Sequence, residues 1–180
     1  MSRLIRLSAD QFTEVCDRFT FVADDETVPE GDVIVSLTRF QNEGEALASP
    51  ARLVGVRLEP GQSVEDLAYD LPRIPVVELR FAKFRDGRPY TSARMLRERL
   101  GYDGEVRAVG DVLREQAQFM VRCGFDSFVP VDGSSAAQWA ASAQRFQHVY
   151  QRAADAREPV FEERAHAAAA AGAVGDGHGL

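Results

Sequence analysis

Short apolar runs rich in β-branched residues recur along this chain, each followed by a stretch with helical spacing and a polar cap, and that rhythm restricts the folds open to it. The runs are Val33-Ile34-Val35-Ser36-Leu37, Leu53-Val54-Gly55-Val56-Arg57-Leu58, Val76-Val77-Glu78-Leu79-Arg80-Phe81, Glu105-Val106-Arg107-Ala108-Val109 and Phe125 to Val131. Between them, Asn42 to Ala51 reads as a short helix or loop, and Ser63 caps a helix reaching Leu71. Thr91 or Ser92 caps one ending at Gly101, and Asp111 caps one ending at Gly124. Ser134 or Ser135 opens a longer helix through Asp155 whose inward face is Trp139, Phe146, Val149 and Tyr150; Phe119 and Met120 are also assigned to the core. Ahead of these units, Leu4 to Leu7 reads as a strand, and Ser8 with Gln11 as the capping box of a helix with Phe12, Val15, Cys16 and Phe19 on one face. Connections of this length suit right-handed crossovers rather than hairpins. The expected fold is α/β, a mainly parallel sheet of about five βα units, open and doubly wound, with a half-barrel of the same units as the alternative.

At 180 residues the chain can bury one real core. Residues 1–31 are expected as a strand–helix extension, 32–157 as the α/β domain, and 158–180 as an Ala/Gly-rich, partly disordered tail with an alanine helix from Glu162 to Ala171. The net charge of −7 argues against a general nucleic-acid binder. No apolar run is long enough for a membrane span or a signal peptide, so a cytoplasmic location is expected. Cys16 and Cys123 are far apart and outside any C-x-x-C pair, and are read as two ordinary thiols, buried or half-buried. His148, His166 and His178 have no metal-ligand spacing, and no metal site is expected. There is no phosphate loop, dinucleotide fingerprint or nucleophile elbow, and no cofactor is evident.

In parallel α/β sheets ligands bind beyond the carboxyl ends of the strands. The third run opens into the longest and most charged of these loops. From Arg80 to Arg99 the local charge is +5, leaving −12 for the remainder. Lys83 is the only lysine among 21 basic residues. Phe81 and Phe84 flank it and could strip part of its water, and arginine forks suit oxyanions and carboxylates. The candidate set for binding an anion or a partner is Arg80, Lys83, Arg85, Arg88, Tyr90, Ser92, Arg94 and Arg97; Lys83 and Asp111 are the candidate catalytic groups. The competing reading is that Arg94, Arg97 and Arg99 are a helix's solvated face and Asp111 an N-cap.

The stretch Phe81-Ala82-Lys83-Phe84-Arg85-Asp86-Gly87-Arg88-Pro89-Tyr90, with Ala93-Arg94-Met95-Leu96-Arg97-Glu98-Arg99, resembles the signature of a bacterial family, the domain of unknown function 934. So do Glu105 to Arg114, Arg122-Cys123-Gly124-Phe125-Asp126, and Arg145 to Gln151; the resemblance spans Val33 to Gln151. The chain departs from the pattern at Ala82, where proline is usual, and at Pro89, where glycine is usual. The resemblance implies a place beside assimilatory sulfite reductase in cysteine biosynthesis, without a mechanism. Three readings stay open: an accessory protein docking on sulfite reductase or its electron donor through the basic loop; a small enzyme acting on an oxyanion or acidic metabolite, with Lys83 and Arg88 as anion ligands and Asp111 as acid or base; and a scaffold without a ligand.

Overall fold

One mixed sheet of eight strands, in the spatial order β2-β1-β8-β7-β6-β5-β4-β3, organises the computed structural model, which describes residues 3–146, 148–155 and 157–173. The strands are β1 (Arg3–Ser8), β2 (Gln11–Cys16), β3 (Phe19–Phe21), β4 (Asp32–Ser36), β5 (Val54–Leu58), β6 (Val76–Phe81), β7 (Glu105–Gly110) and β8 (Ser127–Phe128). The helices are α1 (Leu37–Leu47), α2 (Arg88–Arg94), α3 (Ala117–Arg122), α4 (Ala136–Ala143) and α5 (Val160–Ala173). No described helix is long and apolar enough to cross a membrane.

Two expectations about the sheet are corrected. It is mixed rather than mainly parallel with five βα units. β3 to β8 run parallel, but β1 is antiparallel to both β8 and β2. The crossover from β5 to β6 holds only 3-10 turns, Val64–Leu67 and Leu71–Arg73, where Pro72 and Pro75 interrupt helical hydrogen bonding. Nor is the sheet doubly wound. From β3 to β8 the strands follow chain order, so same-handed crossovers stack on one face, whereas a doubly wound sheet must reverse direction midway. The result is the alternative arrangement, a curled half-barrel.

The first helix is also replaced, by a hairpin. Ser8 pairs with Gln11 across a turn in which Ala9 and Asp10 have φ +46° and +62°, the two-residue geometry that matches strand twist. β1 covers the edge of β8, and Phe12 packs against Phe128 at 6.0 Å. β2 and β3 are the two outer edges of the sheet, yet only Asp17 and Arg18 link them. Cα atoms of Cys16 and Phe19 can then be no more than about 11 Å apart. The chain itself draws the edges together at that end.

Strand alternation divides the residues between two faces. Val33, Val35, Val56, Leu58, Val77, Leu79, Val106, Ala108 and Phe128 meet Phe40, Leu96, Met120 and Trp139 in the apolar core under the helices. The opposite, concave face carries Ile34, Arg57, Glu78, Arg80, Glu105, Arg107 and Ser127, in register from Arg57↔Glu78 to Glu78↔Arg107 to Arg107↔Ser127.

Several boundaries shift. α1 starts early because the Ser36 hydroxyl accepts the Arg39 N–H at 3.0 Å. α2 starts at Arg88 with Pro89 in its first turn, so neither Thr91 nor Ser92 caps it; it continues as a π turn, Met95–Arg99, up to Gly101 (φ +60°). α3 is not capped by Asp111, which the backbone of another loop claims. The fifth strand contracts to two residues. Ser135 does cap α4 with Gln138 in a capping box, but the helix ends at Ala143. Trp139 and Val149 are buried as expected, whereas Phe119, Phe146 and Tyr150 are exposed. The expected alanine helix is α5; residues 174–180 lie outside the described residues. Both cysteines are free, and Cys123 is buried, but Cys16 is exposed on an edge strand.

Candidate functional site

The carboxyl ends of β4 to β8 form one mouth, and the loop after β6 is its most cationic part. That loop is rigidly tied at Phe84. The Phe84 N–H donates to an Asp111 carboxylate oxygen at 2.8 Å, and the Phe84 carbonyl accepts from Gln116 at 3.1 Å. Asp111, after β7, is held in turn by its own N–H to the Phe81 carbonyl at 2.9 Å. Its place is therefore that of a loop anchor at the mouth. Gln116 also donates to the Tyr90 hydroxyl at 3.0 Å. The Tyr90 ring packs edge-on to Phe81 at 5.1 Å, and burial pushes its phenol up to about 12, so it stays protonated.

This frame points Lys83 and Arg85, on either side of Phe84, into solvent. Both are exposed and neither has a side-chain partner among the described residues. Phe81 turns into the core and Phe84 stays exposed, so the expected desolvation of Lys83 does not occur. Arg88 is committed to the loop itself: it grips Asp86 with bonds of 2.9 and 2.7 Å and holds that carboxyl below the usual range. Arg80 lies at the edge of the concave face and pairs with Glu59 at 2.6 Å. Ser92 bonds back to the Arg88 carbonyl at 3.3 Å within α2.

The remaining candidates are elsewhere. Arg94 pairs with Glu98 one helical turn on, beside an outer groove of about 410 Å³ formed with Tyr90, Phe119 and Cys123. Arg97 sits at the opposite end of the half-barrel. It donates to the carbonyls of Gly124 (3.0 Å), Gly104 (2.8 Å) and Tyr102, and to Asp126 at 2.6 Å. These carbonyls belong to the turns leading into β7 and β8, so Arg97 bolts those turns together. The segment from Arg80 to Arg99 thus runs from one rim to the other, and the structure brings only Arg80, Lys83, Arg85 and Arg88 to a common mouth.

The sequence reading passed over the concave face. Arg107 is 1% exposed, and donates to Glu105 at 2.8 Å, Asp17 at 2.9 Å and Glu78 at 3.3 Å. Arg57 donates to the other oxygen of Glu78 at 2.7 Å and stacks on Phe21, 3.4 Å from the ring centroid. Arg6 completes the chain at Glu105. The signal available was the charge set at alternate positions of three otherwise apolar strands: Arg57 in β5, Glu78 and Arg80 in β6, Glu105 and Arg107 in β7. No group of histidines, cysteines and carboxylates that could hold a metal occurs among the described residues.

A family model described as a bacterial protein of unknown function (DUF934) matches residues 55–161. It covers β6 to β8 and all of β5 but Val54, and leaves out β1 to β4. No curated protein and no solved structure matches the chain.

Proposed function

Because this chain belongs to the DUF934 family of bacterial proteins of unknown function, through residues 55–161, we propose that it is a cytoplasmic accessory protein of assimilatory sulfite reduction that docks an acidic protein partner through the mouth loop after β6. The pathway comes from the family resemblance. The observation that supports docking is that Lys83 and Arg85 stand exposed, without side-chain partners among the described residues, on a loop whose backbone is pinned at Phe84.

Their setting favours a protein surface over a small metabolite. An exposed lysine and arginine that point into solvent offer long-range steering, which speeds encounter with an acidic face. The carboxylates of Glu59 and Asp86 are already paired with Arg80 and Arg88, so they oppose that attraction little. The partner would be sulfite reductase or its acidic electron donor.

The test is retention of sulfite reductase by the immobilised full-length protein over a salt series. Retention that falls as salt rises, and that drops roughly tenfold in a Lys83→Ala/Arg85→Ala double variant, is expected. Retention unchanged in that variant would exclude this loop as the docking surface. Deletion of the gene should also give growth on sulfide but not on sulfate or sulfite; normal growth on sulfate would remove the pathway assignment.

A further inference from the structure

Inside the mouth, a cavity of about 270 Å³ is bounded by Asp17, Phe21, Arg57, Glu78, Arg80 and Val109. Its hydrogen-bond inventory is one-sided. Asp17 accepts the Phe19 N–H at 3.0 Å on one oxygen and Arg107 at 2.9 Å on the other. Glu78 accepts Arg57 at 2.7 Å on one oxygen and Arg107 at 3.3 Å on the other. Behind them, Glu105 accepts Arg107, the Ser127 hydroxyl and Arg6 on its two oxygens. Every carboxylate oxygen here already has a donor.

The donors are in surplus. A guanidinium carries five N–H groups. Arg57 uses only Nε, and neither of its amino groups bonds to a described residue. Among the described residues Arg80 uses only one amino group, on Glu59. The Nη2 of Arg107 is buried and has no hydrogen-bond partner among the described residues. A buried donor without an acceptor is costly, and arginine N–H edges are strong oxyanion ligands. The site is also preorganised. Glu78 and the Phe21 ring hold the Arg57 plane from two directions, so little rotamer freedom is left to lose on binding.

We propose that this cavity binds a small oxyanion, of the size of inorganic phosphate or sulfate, on the free edges of Arg57 and Arg80, with Arg107 supplying charge from behind Glu78 and Asp17. A cation is disfavoured because every carboxylate oxygen here already accepts from an arginine, a hydroxyl or the backbone. This site shares the mouth with the docking loop but does not rest on the docking reading, since it uses neither Lys83 nor Arg85.

The experiment is calorimetric titration of the full chain with sodium phosphate and with sodium sulfate at low ionic strength, sodium chloride serving as the control. Saturable binding of at least one oxyanion is expected, weakened roughly tenfold or more in Arg80→Met and in Arg57→Met, and kept within roughly twofold in Lys83→Ala/Arg85→Ala. Arg80→Met breaks only an exposed pair, so it remains a folded test if Arg57→Met proves unstable. No saturable binding by the wild type at tens of millimolar overturns the proposal. So does binding that survives Arg80→Met, or binding lost only in the loop variant, which would move the anion to the docking surface.

Discussion

Asp17 and Arg107 are separated by 90 positions and meet at 2.9 Å, a contact that reaches from the link between the two edge strands to the middle of the sheet. It crosses the hollow of the half-barrel and holds its open side to its centre. The same guanidinium binds Glu78 and Glu105, so one arginine organises three carboxylates in the concave face.

Replacing Arg107 by Met should therefore be among the most damaging changes in the chain. It would leave three acids gathered without their common partner, at about 3–5 kcal/mol. Asp17→Asn should cost less, about 1–3 kcal/mol. Urea denaturation of both single variants and the double variant measures the coupling. Strict additivity would mean that the cross-sheet contact contributes nothing.

Stability should fall in acid through Glu105. Burial pushes its carboxyl up, but Arg107, Ser127 and Arg6 outweigh burial and hold it below the usual range. The folded state then binds this proton less readily than the unfolded chain, whose glutamates titrate near 4.3. The stabilisation is complete above that value and is lost as pH drops through the lower, folded value. Unfolding free energies measured from pH 7 to pH 3 should show this decline, and Glu105→Gln should flatten it.

Arg97→Ala should lower stability by about 3 kcal/mol, because it strips the donor from three turn carbonyls and leaves Asp126 without its arginine. Arg97→Lys should recover little, since an ammonium cannot span the same fork. Neither change should alter the salt dependence of partner retention, because Arg97 lies at the other end of the half-barrel.

Gly110→Ala should destabilise by more than about 2 kcal/mol. Gly110 has φ +92°, and a Cβ there would collide with the Phe81 carbonyl oxygen. Thermal melts would register it; a melting temperature equal to wild type would show that the turn after β7 can relax.

The two thiols should react in separate phases. Cys16 is exposed, while burial pushes the Cys123 thiol up to about 11. With a thiol reagent in native buffer one equivalent should be consumed quickly and the second only as the protein opens. Cys16→Ser should abolish the fast phase.

The parts of the fold that were legible in the sequence rest on local physics. β4 to β7 lie within a residue or two of the β-branched runs, and Ser135 with Gln138 caps α4 as its spacing requires. The hairpin was not legible. Phe12 and Val15 fit a helical stripe, and a turn with Ala9 and Asp10 at positive φ carries no glycine to announce it. What favours the strand is the outer edge of β1, which β2 covers. Helix and sheet order were equally hidden, because right-handed crossovers permit either winding.

For the candidate site the division is similar. Charge alone marked Arg80 to Arg99, and Lys83 and Arg85 do stand at the mouth. The sequence could not show that Arg88 folds onto Asp86, or that Arg97 faces the opposite rim, since both depend on which acceptors the turns bring near. The concave face is the clearest case. Arg57, Glu78 and Arg107 are visible as charges within otherwise apolar strands, and alternation puts each on the face away from the core. Only the register of β5, β6 and β7 places them in one row, and only the curl of the sheet delivers Asp17 to its end. Local composition determined that charges would lie inside this protein; the pairing of distant strands decided which charges meet, because a buried ion is tolerated only where another element supplies its counter-ion.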